Sequence, residues 1–120
     1  MSMIFKICSR TLWEAAERDG RFTGAPVDVA DGFIHFSTAE QLCETARRHF
    51  AGQSDLVLVA VEAKALGERL RFEPSRGGAL FPHLYGDLDL AAVRGVATLP
   101  LGGDGGHVFP VAPPFHGIAA

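Results

Sequence analysis

The sequence predicts one α+β domain built around a mixed or antiparallel sheet, and three observations carry that reading. Strand-like and helix-like segments alternate at the start of the chain, whereas strand-like segments dominate its second half. The run Leu56-Val57-Leu58-Val59-Ala60-Val61 is the most apolar stretch, short enough to be a central strand covered on both faces. The chain has 120 residues, 48% hydrophobic and 21% charged, which is the length of one domain and the composition of a packed globule. Residues 1–110 are assigned to that domain and residues 111–120 to a C-terminal tail with no expected packing role.

Met3 to Cys8 is an apolar run interrupted only by Lys6 and reads as a first strand. Thr11 is followed three residues later by Glu14, a capping-box pattern, so a helix is expected through Arg18 with Gly20 ending it. Arg21 to Ala30, with Gly24, Pro26 and little periodicity, reads as a connection. Phe33 to Phe36 is a short aromatic strand. Ser37 and Thr38, with Glu40 and Gln41 three residues on, then mark the start of a second helix, Ala39 to Phe50. Leu42, Ala46 and Phe50 form its apolar stripe, Glu44, Arg47 and Arg48 face outward, and Gly52 ends it. After the central strand and a turn around Lys64 to Gly67, Leu70 to Glu73 reads as a strand closed by Pro74. Ser75 to Gly78 is a polar turn, and Leu80 to Gly86 reads as an ordered loop, too interrupted for a central strand. Asp89 is expected to cap one helical turn over Leu90 to Val93, and Val96 to Leu101 reads as a strand. The glycine-rich turn Gly102 to Gly106 then leads into an edge strand at His107 to Pro110.

Charge and composition exclude several classes of function. Net charge is −3 and the basic residues are scattered apart from Arg47-Arg48, so no stripe for nucleic acid is present. No stretch reaches the roughly 18 apolar residues that span a bilayer, and the first residues lack a signal-peptide pattern, so a cytoplasmic protein without membrane partners is expected. Cys8 and Cys43 are far apart and in no CxxC or Cys/His cluster, which makes them small hydrophobes rather than ligands or redox partners.

The candidate site residues are the polar groups set among aromatics and glycines: His35, Ser37, Glu73, Ser75, Arg76, His83 and Tyr85. In an extended strand Phe33, His35 and Ser37 share one face while Ile34 and Phe36 share the other, so burying Ile34 and Phe36 leaves His35 and Ser37 for solvent or a cleft. Histidine, glutamate and arginine together are the parts of an anion or nucleotide site. The bland alternative makes both histidines and Tyr85 structural and Arg76 a solvated turn residue. His35, His83 and Glu73 have no HxH, HxxxH or HxxE spacing, so no metal is expected, and the serines and cysteines lack any nucleophile signature. His107 and His116 read as surface residues.

Four motifs carry a resemblance: Ile4-Phe5-Lys6-Ile7, Gly32-Phe33-Ile34-His35-Phe36-Ser37, Glu73-Pro74-Ser75-Arg76-Gly77-Gly78 and Phe81-Pro82-His83-Leu84-Tyr85-Gly86. Over nearly all of residues 3–110 the chain resembles the small bacterial DUF952 proteins, a family grouped at fold level with the ADP-ribosyltransferase superfamily. That resemblance implies two main helices on a split sheet, with a cleft that takes NAD as a substrate or a related nucleotide-like small molecule. It further implies that His35 contacts the ribose, that Glu73 orients it and stabilises oxocarbenium character during nicotinamide release, and that Ser37, Ser75, Arg76, His83 and Tyr85 line the ligand site. None of Glu73, His83 and Tyr85 sits in a copy of the superfamily's transferase motif. Three functions are therefore set against one another: an ADP-ribosyltransferase-like or NAD-cleaving enzyme, a non-catalytic nucleotide or small-anion binding module, and a metal-dependent enzyme.

Overall fold

The computed structural model describes residues 2–118, with the side chain of Arg76 outside the described set. Its axis is β4 (Leu56–Glu62), in which every residue is buried, as the apolar run predicts. β4 lies antiparallel between β1 (Met3–Ser9) and β8 (Val93–Leu99), with Phe5 opposite Ala60 and Leu58 opposite Ala97. Side chains alternate across a strand, so this sheet has two apolar faces and a core on each. Ile4, Cys8, Val57, Val59 and Val61 enter one core, while Phe5, Ile7, Leu56, Leu58 and Ala60 enter the other. Lys6 falls on the same face as Ile4 and Cys8, where a charge survives only with a partner.

α1 (Arg10–Asp19) contributes Trp13 and Ala16 to the first core. Its cap is Ser9, whose Oγ accepts from the Leu12 N–H at 3.1 Å, rather than the expected Thr11; Gly20 ends it as predicted, in the left-handed region at φ 82°. The stretch expected to be a plain connection holds two elements. β2 (Arg21–Phe22) pairs with β7 (Leu88–Asp89), and α2 (Pro26–Asp31) is a short helix with Pro26 in its first turn, where a missing N–H costs nothing. α3 (Leu42–His49) buries Leu42 and Ala46 in the second core. It begins later than expected because residues 39–41 form a turn, in which Gln41 Oε1 accepts from the Thr38 N–H at 3.0 Å.

A second three-stranded antiparallel sheet consists of β3 (Ile34–His35), β6 (Leu80–Leu84) and β5 (Leu70–Pro74), with β6 in the middle. The ordered-loop reading of residues 80–86 is therefore wrong for its first five positions, and the reason is the place of Pro82. Its carbonyl accepts from the Phe36 N–H at 3.0 Å, but it has no N–H to return. One residue later the chain has already changed partners, because Ser37 exchanges backbone bonds of 2.8 and 2.9 Å with Phe5 of β1. Proline thus stands where the sheet splits, and residues 34–37 join its two halves.

Asp89 caps a single 3-10 turn, Leu90–Ala92, as predicted. β8 starts earlier than expected. The glycine turn closes through an isolated bridge, Leu101 to His107, and among the described residues no edge strand follows it. The tail does pack: Phe115 is 7% exposed, its ring centroid lies 6.5 Å from that of Phe5, and Ile118 borders the same core. No helix among the described residues is long and apolar enough to cross a membrane.

Candidate ligand-binding cleft

Register brings the histidine strand and the aromatic segment together. His35 of β3 pairs with His83 of β6, which pairs with Arg71 of β5, so three polar side chains stand in a row across one sheet face. Ile34 and Phe36 are buried in the first core, as the alternation predicts, which leaves His35 and Ser37 on the opposite side. That side is one wall of a cleft of about 520 Å³. Phe5, Phe36, Phe50, Phe81, Ile7, Val27 and Leu42 supply its apolar lining, and Lys6, Asp31, His35, Ser37, Thr45, His49, Ser75 and His83 its polar lining.

His35 is held by a buried ion network. Asp28 is 2% exposed and accepts from four donors: Lys6 Nζ at 2.9 Å, the Ala25 N–H at 2.8 Å, the His35 N–H at 3.1 Å and His35 Nδ1 at 2.6 Å. Burial alone would raise the Asp28 carboxyl, but the His35 bond, the Lys6 charge and the Ala25 N–H outweigh it and hold the group down at about 2. Lys6, 6% exposed, is thereby paired inside the core. Asp31 approaches from the other side, its Oδ2 lying 2.9 Å from His35 Nε2. Burial also pushes the neighbouring Cys8 thiol up to about 11, so this cysteine is inert packing.

His83 is fixed by a separate unit. Glu73 Oε1 lies 2.8 Å from His83 Nδ1 and accepts from the Tyr85 hydroxyl at 2.7 Å. These two bonds hold the Glu73 carboxyl below its usual range, and the same bond raises the Tyr85 phenol. Arg71 sits over the Tyr85 ring, 5.1 Å from its centroid. Phe33 packs among all three rings, stacked on His83 at 4.1 Å and tilted against His35 at 4.6 Å and Tyr85 at 5.4 Å. The His35 and His83 centroids are 5.6 Å apart. With Nδ1 donating to Glu73, the neutral His83 ring presents Nε2 as an acceptor, and that nitrogen has no protein partner among the described residues.

Residues 7–96 match a protein family described as of unknown function, DUF952. This chain belongs to the DUF952 family. It is 54% identical to protein CC0527 of Caulobacter crescentus, whose crystal structure superimposes with a TM-score of 0.86 over 89% of this chain and 94% of that one. A crystal structure of a double mutant of CC0527 gives 52% identity and the same TM-score, and its solution NMR structure gives 56% and 0.80. No curated protein matches. The family is the one the motifs pointed to and the antiparallel α+β fold agrees with the reading of the residues, while an ADP-ribosyltransferase activity or fold and NAD binding are not part of what these matches show.

Within this DUF952 protein, His35, Ser37, Ser75 and His83 line one cleft, whereas Glu73 and Tyr85 stand outside its lining and reach it through His83. Ser37 is occupied, its Oγ 2.9 Å from Thr45 Oγ1, and Ser75 is exposed beside its turn. The Arg76 side chain lies outside the described residues. His35, His83 and Glu73 do not form a metal site: among the described residues no group of three or more His, Cys, Asp or Glu side chains is placed to hold an ion. Sequence reasoning missed Asp28, Asp31, Lys6, Phe33, Thr45 and His49. Two signals were present: Lys6 interrupts an otherwise apolar strand and so needs a buried partner, and Pro26 followed by Asp28 is a helix start.

Proposed function

We propose that the cleft binds a nucleotide-like small molecule, NAD or an ADP-ribosylated or phosphorylated relative, with His35 and His83 as its two imidazole contacts. The observation that supports this is the pairing itself. Two histidines sit side by side on adjacent strands, each fixed through Nδ1 by a carboxylate that belongs to the protein, beside a largely apolar cleft. Its volume, about 520 Å³, falls within the roughly 300–1,000 Å³ usual for small-molecule sites, and aromatic walls suit a base or nicotinamide ring.

Of the two ways to use such a ligand, binding is favoured over cleavage of the nicotinamide–ribose bond. A carboxylate that stabilises oxocarbenium character has to face the ribose. Glu73 stands outside the cleft lining, and its Oε1 already serves His83 and Tyr85. Glu73 acts instead as the positioning group that sets the tautomer of His83. Titration with NAD and ADP-ribose, run beside a nicotinamide-release assay, separates the readings. Saturable binding without release supports the binding module. Release that Glu73→Gln abolishes while binding persists restores the enzyme.

A further inference from the structure

We propose that Asp31 keeps the place of a ligand oxyanion on His35 Nε2, so that a phosphate or carboxylate group enters the cleft there by displacing this carboxylate. The inference rests on the reading of the cleft as a ligand site. The His35 ring is fixed from behind: Nδ1 meets Asp28 at 2.6 Å, and Asp28 is itself locked by Lys6 and two backbone N–H groups. Asp31 is not needed for that orientation. It reaches the other ring nitrogen from the cleft side at 2.9 Å, and its side chain is 48% exposed where that of Asp28 is 1% exposed.

One imidazole therefore has two carboxylates of unequal standing, one built into the core and one at the surface. A neutral ring has a single N–H, so both contacts are hydrogen bonds only when the ring carries protons on both nitrogens. A group that takes the place of Asp31 at Nε2 meets the same demand, a hydrogen-bond acceptor that carries negative charge. Asp31 has no other partner among the described residues. It is the last residue of α2, ahead of Gly32 in the left-handed conformation at φ 88°. Exposed pairs of this kind are weak, so a bound anion replaces it at small cost. His83 Nε2, an acceptor, suits a hydroxyl of the same ligand rather than its oxyanion, its ring centroid being 5.6 Å from that of His35.

The test is an NMR titration of wild type and Asp31→Asn with inorganic phosphate, acetate, ADP-ribose and, as an uncharged control, adenosine. If Asp31 competes for Nε2, Asp31→Asn binds phosphate or ADP-ribose about fivefold more tightly and adenosine unchanged. In wild type the Asp31 carboxyl ¹³C resonance then moves with the same midpoint as His35 Nε2. A response to phosphate alone assigns a phosphate group, and an equal response to acetate assigns a carboxylate. If wild type binds ADP-ribose but Asp31→Asn gains nothing, the inference fails while the cleft stands as a ligand site. The same holds if the Asp31 resonance stays still while His35 shifts, since the gain would then be only lost surface charge. Absence of binding by both forms to every probe removes the inference together with the reading beneath it.

Discussion

Asp28 Oδ1 and His35 Nδ1 lie 2.6 Å apart, and this contact connects the core to the cleft. On the core side Asp28 neutralises Lys6, whose place on an apolar strand face would otherwise cost several kcal/mol. On the cleft side it fixes the ring by which a ligand is recognised. One carboxylate thus couples the stability of the domain to the geometry of its site.

Removing that carboxylate leaves Lys6 buried without its partner. Asp28→Ala should lower stability by about 3–5 kcal/mol in urea unfolding. Ligand binding should weaken as well, because His35 loses the group that orients it. A loss below about 1 kcal/mol, as for a surface pair, would show that the network is dispensable.

Acid should expose the same residue. The folded-state Asp28 carboxyl titrates at about 2, below its ordinary value of 3.8, so its stabilisation is fully present above about pH 4 and is lost as pH falls through 2. The amount is about 2 kcal/mol. Urea unfolding followed between pH 5 and pH 2, a range of about three units, should show this loss in wild type. Asp28→Asn should lack that component of the loss, and identical pH profiles for the two proteins would contradict the assignment.

The Glu73 unit makes a reciprocal prediction. Tyr85→Phe removes the larger of the two bonds that depress the Glu73 carboxyl, so its titration, followed by carboxyl ¹³C shifts, should move upward. Glu73→Gln should bring the raised Tyr85 phenol down towards 10. Failure of either group to respond would mean that the bond between Tyr85 and Glu73 is not maintained in solution.

The C-terminal segment should behave as part of the core. Phe115→Ala is expected to cost about 3–5 kcal/mol. A Cβ at Gly95 would stand 2.8 Å from Pro114 Cγ and 3.3 Å from Phe115 Cζ, so Gly95→Ala should push the segment away at a cost of about 1–3 kcal/mol. Since both changes act on one contact, the double variant should cost less than the sum of the two, as a double-mutant cycle can measure. Full additivity would show that residues 111–118 do not pack on β8.

Periodicity made the scaffold legible. The continuous apolar run of β4, the Leu42 and Ala46 stripe of α3 and the alternation through Ile34, His35 and Phe36 each report a face that must be buried. What escaped notice was set by contacts distant in sequence. Pro82 argues locally against a central strand, yet its carbonyl and missing N–H fit the point where Phe36 leaves β6 and Ser37 joins β1. Phe115 lies in a proline-rich stretch without periodicity, and it packs closely on β8 at position 95, where a Cβ would stand 3.3 Å from its ring. His35 and His83 were visible as candidates from composition, but their pairing depends on register between β3 and β6. Asp28 was hidden because nothing local links it to Lys6, 22 positions earlier in the sequence.

The most direct test of the cleft is an imidazole NMR titration of the wild-type protein with ADP-ribose. The His35 and His83 resonances should shift together with one saturable midpoint, while His107 and His116, outside the cleft lining, stay in place. Shifts at neither His35 nor His83, or at only one of these two, would contradict the claim that they form one ligand site.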